Sequence, residues 1–151
     1  MTKDKVLFIC IHNSARSQIS EAFLKRYGGD YFEVESAGLE PGALNPLAVE
    51  VMREVGIDIS NNQTDSAFEF LKQGRRFGYL ITVCDETNAE KCPIFPGVLE
   101  RIHWSFTDPS TLEGSKEEKL EKLRTIRDSI KERVLEFIKT KTKDKAELKA
   151  V

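Results

Sequence analysis

Long apolar runs are missing from this chain of 151 residues. No segment approaches the ~18 consecutive apolar residues that span a bilayer, so neither a membrane helix nor a membrane partner is expected. An excess of one charge sign is missing as well: 23 basic side chains stand interspersed with 25 acidic ones, for a net charge of −2. Without a broad positive surface, nucleic acid is not an expected partner, and any anion site has to be local. Cysteine is scarce, and its count of three is odd, which excludes a closed set of structural disulfides. The start Met1-Thr2-Lys3-Asp4-Lys5 leads into Val6-Leu7-Phe8-Ile9, too short for a signal-peptide core and followed by no small-residue cleavage site. A cytoplasmic location is the expectation. In that reducing compartment the three thiols are candidates for chemistry, the plain alternative being that they fill space in the core.

What is present fits one domain over residues 1–140, with a lysine-rich tail over 141–151 expected to fray. Val6 to Cys10 reads as a strand buried on both faces and ending at a polar loop. From Arg16, the spacing of Ile19, Ala22, Phe23 and Tyr27 predicts a helix ended by Gly28-Gly29. Tyr31 to Ser36 alternates apolar with acidic residues, as a strand near a sheet edge does. Asn45 and Pro46 are suited to begin a second helix that stops at Gly56. Asp65 or Ser66 is placed to cap a short third one, Tyr79 to Cys84 and Ile102 to Trp104 read as strands, and Ser115 with Glu118 forms a capping box before a long amphipathic helix. Strands alternating with helices predict an α/β fold, a three-layer α/β/α arrangement on a four-stranded parallel sheet. Ligands then bind at the carboxyl ends of the strands.

Cys10 sits at such an end, heading the loop Cys10-Ile11-His12-Asn13-Ser14-Ala15-Arg16-Ser17. Backbone N–H groups of a loop between strand and helix converge on one anion, and the helix N-terminus adds positive potential. The planar guanidinium of Arg16 is suited to hold two oxyanion oxygens, with Cys10 beneath as a thiolate nucleophile. Ser17 is placed to donate to that thiolate, and Asn13 to hold a strained turn, since asparagine tolerates left-handed backbone. His12 is expected to face solvent.

The chain resembles the low-molecular-weight protein tyrosine phosphatases and the thioredoxin-coupled arsenate reductases that share their fold. The likeness is carried by the loop together with Ser36 to Ser60 (SAGLEPGALNPLAVEVMREVGIDIS), Ile81 to Pro93 (ITVCDETNAEKCP) and Ile102 to Pro109 (IHWSFTDP). For a phosphatase the resemblance implies Asp108 as the general acid. For a reductase it implies a relay in which Cys10 attacks arsenate, Cys84 attacks Cys10 and Cys92 attacks Cys84, leaving a Cys84–Cys92 disulfide for thioredoxin. The seven residues between those two cysteines match no usual zinc-ligand spacing, and Thr87-Asn88-Ala89 suits a mobile segment.

Two departures favour the reductase: Ala15 stands where the phosphatases often carry a second loop cysteine, and Ser110-Thr111 where they carry aromatic residues. The resemblance further implies a potassium ion near Asn13, Glu21, Ser36 and Asp65, whose oxygen-bearing side chains suit a hard cation. No tightly bound cofactor is implied, a monomer is expected, and weak phosphatase activity follows from the shared loop. A non-enzymatic oxyanion-responsive module remains the alternative of a different class.

Overall fold

A computed structural model of the chain describes residues 3–84 and 92–149. Four parallel strands, β1 (Asp4–Cys10), β2 (Phe32–Gly38), β3 (Tyr79–Thr82) and β4 (Glu100–His103), form one sheet in the order β2-β1-β3-β4. Among the described residues four helices accompany them: α1 (Arg16–Gly28), α2 (Pro46–Arg53), α3 (Ala67–Lys72) and α4 (Lys116–Lys149), with a 3-10 turn at Pro109–Thr111. The expected four-stranded parallel α/β/α architecture is the one observed.

Strand β1 is central, and its alternation divides the core. Val6, Phe8 and Cys10 join Ile19 and Phe23 of α1, Val51 and Met52 of α2, and Leu123, Ile130 and Val134 of α4 in one apolar cluster. Leu7 and Ile9 point to the other face, where they meet Ala67 and Phe70 of α3 with Phe77, Leu80, Cys92 and Phe95. Burial on both faces explains the unbroken apolar run, whereas β2 lies at the edge and exposes Glu33.

Local signals set the element boundaries. The Asn45 side chain accepts from Leu47 N–H and Pro46 occupies the first helical position of α2. Ser66, the second of the two proposed caps, begins α3 by accepting from Glu69 N–H. Ser115 and Glu118 exchange the reciprocal bonds of a capping box ahead of α4. Several bounds differ from expectation: β2 runs Phe32–Gly38 rather than from Tyr31 to Ser36, α2 ends at Arg53 ahead of Gly56, and β4 is Glu100–His103 rather than Ile102 to Trp104. Strand β3 ends at Thr82 rather than Cys84, because pairing with β4 stops at His103. The backbone of α4 continues as helix to Lys149, past residue 140 where fraying was expected; lysine, alanine, leucine and glutamate in this stretch all have good helix propensity.

Candidate active site

The loop from Cys10 to Ser17 is bound from outside and open inside. Its carbonyls at Cys10, Ile11, His12 and Ser14 accept from Leu39, Glu40, Gly42 and Asn45 N–H at 2.7–3.1 Å. With those carbonyls engaged by the 39–45 segment, the Asn13 N–H faces inward, onto Cys10 Sγ. No described side chain caps α1, so its first-turn N–H groups also remain directed at the loop's centre. Gly38 makes this fit possible: a Cβ there would sit 2.8 Å from backbone atoms of Ile11, His12 and Asn13.

Cys10, Asn13, Arg16 and Ser17 are all buried. Asn13 adopts φ 55°, the sole positive φ at a non-glycine among the described residues. This turn points Asn13 N–H at Cys10 Sγ, 3.1 Å away. Ser17 Oγ lies 2.9 Å from the same sulfur and accepts from Asn13 Nδ2 at 2.7 Å. Ser17 Oγ can accept from the amide and still donate its hydroxyl hydrogen, so when Cys10 is deprotonated two donors meet one sulfur. That geometry suits a thiolate, which accepts and has no proton to place.

Arg16 donates through Nη1 to Phe106 O at 3.3 Å, and its Nη2 lies 3.7 Å from Asp108 Oδ2. The other Asp108 oxygen accepts from Ser110 N–H and Ser110 Oγ, fixing the carboxylate at the start of the 3-10 turn. Asp108 thus stands beside the guanidinium expected to hold the anion. His12 is exposed, as expected, with Nδ1 2.8 Å from Glu40 O.

Among the described residues no disulfide joins the cysteines. Cys84 lies just beyond β3, in the same apolar cluster as Cys10. Cys92 belongs to the cluster on the opposite face of the sheet, where burial pushes its thiol above the usual range against a smaller downward pull from Arg101. The structure therefore places Cys84 in the cluster that holds Cys10, and Cys92 in the other cluster. Thr87-Asn88-Ala89 lies outside the described residues.

The candidate cation ligands are connected to one another. Asn13 Nδ2 donates to Ser36 Oγ at 2.9 Å, Ser36 Oγ donates to Glu21 Oε1, and Asp65 N–H donates to Asn13 Oδ1 at 2.9 Å. Burial raises the Asp65 carboxyl, with Arg75 opposing and Glu35 adding to the rise. Sequence reasoning missed Gln18, whose amide bonds to Asn13 and Gln63. The available signal was a glutamine four residues before Ala22, on the buried side of α1.

A strand–loop–helix anion cradle with a buried cysteine at its base and an aspartate facing its arginine agrees with the family comparison. The profile of the family described as low molecular weight phosphotyrosine protein phosphatase matches residues 5–147. The chain belongs to this family. Within the low-molecular-weight phosphatase family, similarity to arsenate reductases is extensive. The chain is 43% identical over 140 residues to an arsenate reductase of Shouchella clausii, covering 93% of this chain and 99% of that protein. It superposes with a TM-score of 0.74 and 33% identity on an arsenate reductase in the phosphate-binding state, covering 91% and 98% of the two chains. A thioredoxin-dependent arsenate reductase of Corynebacterium glutamicum gives a TM-score of 0.66 at 30% identity, over 93% of this chain and 62% of that one.

Proposed function

We propose that this protein reduces arsenate to arsenite through three thiols and is regenerated by thioredoxin. The observation carrying the proposal is the placement of Cys10 and Cys84 at the carboxyl ends of adjacent strands, in one apolar cluster, with two donors directed at Cys10 Sγ. Cys10 thiolate attacks arsenic and forms an S–As bond as an arsenate oxygen leaves as water. Cys84 thiolate attacks Cys10 Sγ, the S–As bond breaks, and its electron pair remains on arsenic as arsenite. Cys92 thiolate then attacks Cys84 Sγ, freeing Cys10 and forming the disulfide that a thioredoxin dithiol reduces. This last attack requires Cys92 to leave the cluster in which it is buried and to lose its proton, both disfavoured in its present setting.

The loop N–H groups and Arg16 stabilise charge on the oxyanion, while Ser17 and Asn13 hold the thiolate. Asp108, beside Arg16, is positioned to protonate a leaving oxygen, which supports a weak aryl-phosphate hydrolase activity from the same loop. Glu21, Ser36 and Asp65 supply oxygen donors that fit a potassium ion. A partly buried Asp65 carboxyl gains from a cation, and Asn13 would contribute by the amide oxygen it now directs at Asp65 N–H. Such an ion would brace Asn13 and through it the loop. A reducing cytoplasm and a monomeric state complete the proposal; among the described residues no helix is long and apolar enough to cross a membrane.

The test is arsenite formation from arsenate by purified protein with thioredoxin, thioredoxin reductase and NADPH. Sustained turnover that is lost in Cys84→Ser and Cys92→Ser, with aryl-phosphate hydrolysis retained in both, is the expected result. Brisk hydrolysis with no arsenate turnover would favour the phosphatase reading.

A further inference from the structure

Beyond the bonds that the Asn13 side chain makes to Ser17, Ser36 and Asp65 N–H, the left-handed turn at Asn13 is held at its backbone carbonyl by one side chain, Gln18. It is 1% exposed. Its amide nitrogen faces three acceptors: Asn13 O at 3.1 Å, Asn13 Oδ1 at 3.3 Å and Gln63 O at 2.9 Å. Two N–H hydrogens satisfy this arrangement if one serves Gln63 and the other is shared by the two Asn13 oxygens. That sharing fixes the direction of Asn13's carbonyl and of its side chain together. From outside, Asn62 Nδ2 donates to Gln18 Oε1 at 3.0 Å and sets which way the amide turns.

We infer that Gln18 is a positioning residue for the Cys10 nucleophile, acting through Asn13 and braced by Asn62 and the Gln63 carbonyl. The path is short and continuous. Gln18 orients the Asn13 amide, Asn13 Nδ2 donates to Ser17 Oγ, and Ser17 Oγ lies 2.9 Å from Cys10 Sγ, where its hydroxyl can donate to a thiolate. The same turn aims Asn13 N–H at that sulfur. Losing the clamp frees Asn13 to relax from φ 55°, a conformation disfavoured for side-chain-bearing residues, and withdraws both donors at once. The anion's other holders, Arg16 and the N-terminus of α1, do not pass through Gln18. The effect therefore falls on attack more than on oxyanion binding.

Gln18→Met keeps length and removes all donors, and Asn62→Ala, at an exposed position, removes only the outer brace. Aryl-phosphate hydrolysis reads the Cys10 step without involving the other thiols, with inorganic phosphate as the competing ligand. Expected in Gln18→Met is a fall in kcat of roughly tenfold, with the half-inhibitory phosphate concentration moved less than about threefold. Asn62→Ala is expected to lower kcat by about threefold alone and not at all in the Gln18→Met background, since both act through one amide. Iodoacetamide labelling of Cys10 at fixed pH should slow in parallel with kcat. A cooperatively melting Gln18→Met protein with native kcat, or effects of the two substitutions that multiply, would overturn the inference. The inference rests on Cys10 as nucleophile, and the Cys10→Ser protein tests that separately. Hydrolysis surviving Cys10→Ser would overturn the nucleophile itself, whereas an unchanged kcat in Gln18→Met overturns the clamp alone.

Discussion

Replacing Asn13 separates two contributions that the loop combines, backbone strain and side-chain bonding. Besides the long, shared bond from Gln18 at 3.3 Å, Asn13→Ala removes three short ones, the donations to Ser17 and Ser36 and the acceptance from Asp65 N–H, at 2.7–2.9 Å. At ~1 kcal/mol net for each bond, that loss is about 3 kcal/mol. Alanine at φ 55° adds roughly 1–2 kcal/mol because its Cβ crowds the following carbonyl. The sum, about 4–5 kcal/mol, is a large share of the ~5–15 kcal/mol that holds a domain folded. It corresponds to a fall in melting temperature of roughly 8–20 °C for a chain of this size. Asn13→Gly loses the same bonds without the steric cost, so it should be about 1 kcal/mol less destabilised than Asn13→Ala. Urea unfolding followed by fluorescence of Trp104, the single and buried tryptophan, measures both variants. An Asn13→Ala protein within ~1 kcal/mol of native, or an Asn13→Gly protein less stable than it, would refute the reasoning.

Ser17→Ala should slow aryl-phosphate hydrolysis by roughly 10–100-fold by removing the hydroxyl directed at Cys10, with steady-state kinetics as the check. Burial raises the Cys92 thiol, so its contribution to stability is complete below the ordinary thiol value of ~8.5 and is lost as pH rises through the raised value. The urea midpoint of Cys92→Ala should accordingly fall less between pH 8 and 10, roughly spanning that range, than the native midpoint does. Glu54 is lowered first by its bond from Arg124, which desolvation opposes, then by Arg127. Its contribution is present above the ordinary carboxyl value of ~4.3 and is lost as pH falls through the lowered one. Glu54→Gln should lower the melting temperature at neutral pH and reduce its decline on acidification, measured by a pH series of thermal melts.

Legibility in the sequence followed the range of the interactions. The loop announced itself because a buried strand, a polar turn and a helix occur in immediate succession, and the left-handed turn could be placed at Asn13 from the residue type. The Asn45 cap, the Ser115 and Glu118 box and the edge position of β2 are likewise local, and each is found. Partners distant in sequence were not visible. Nothing in the pattern shows that the 39–45 segment would donate its N–H groups to the loop carbonyls, or that Gln18 would reach Gln63 across 45 positions. Cys92 followed the same rule: its side of the sheet depends on how the chain passes from β3 to β4, not on its neighbours. Beyond residue 140 the backbone is helical, although no apolar period marks that stretch in the sequence.

Thiol mass mapping after addition of one equivalent of arsenate to the reduced protein tests the central claim most directly. The relay predicts a Cys84–Cys92 disulfide, Cys10 as a free thiol and one equivalent of arsenite released. Three unchanged thiols with arsenate intact would contradict it.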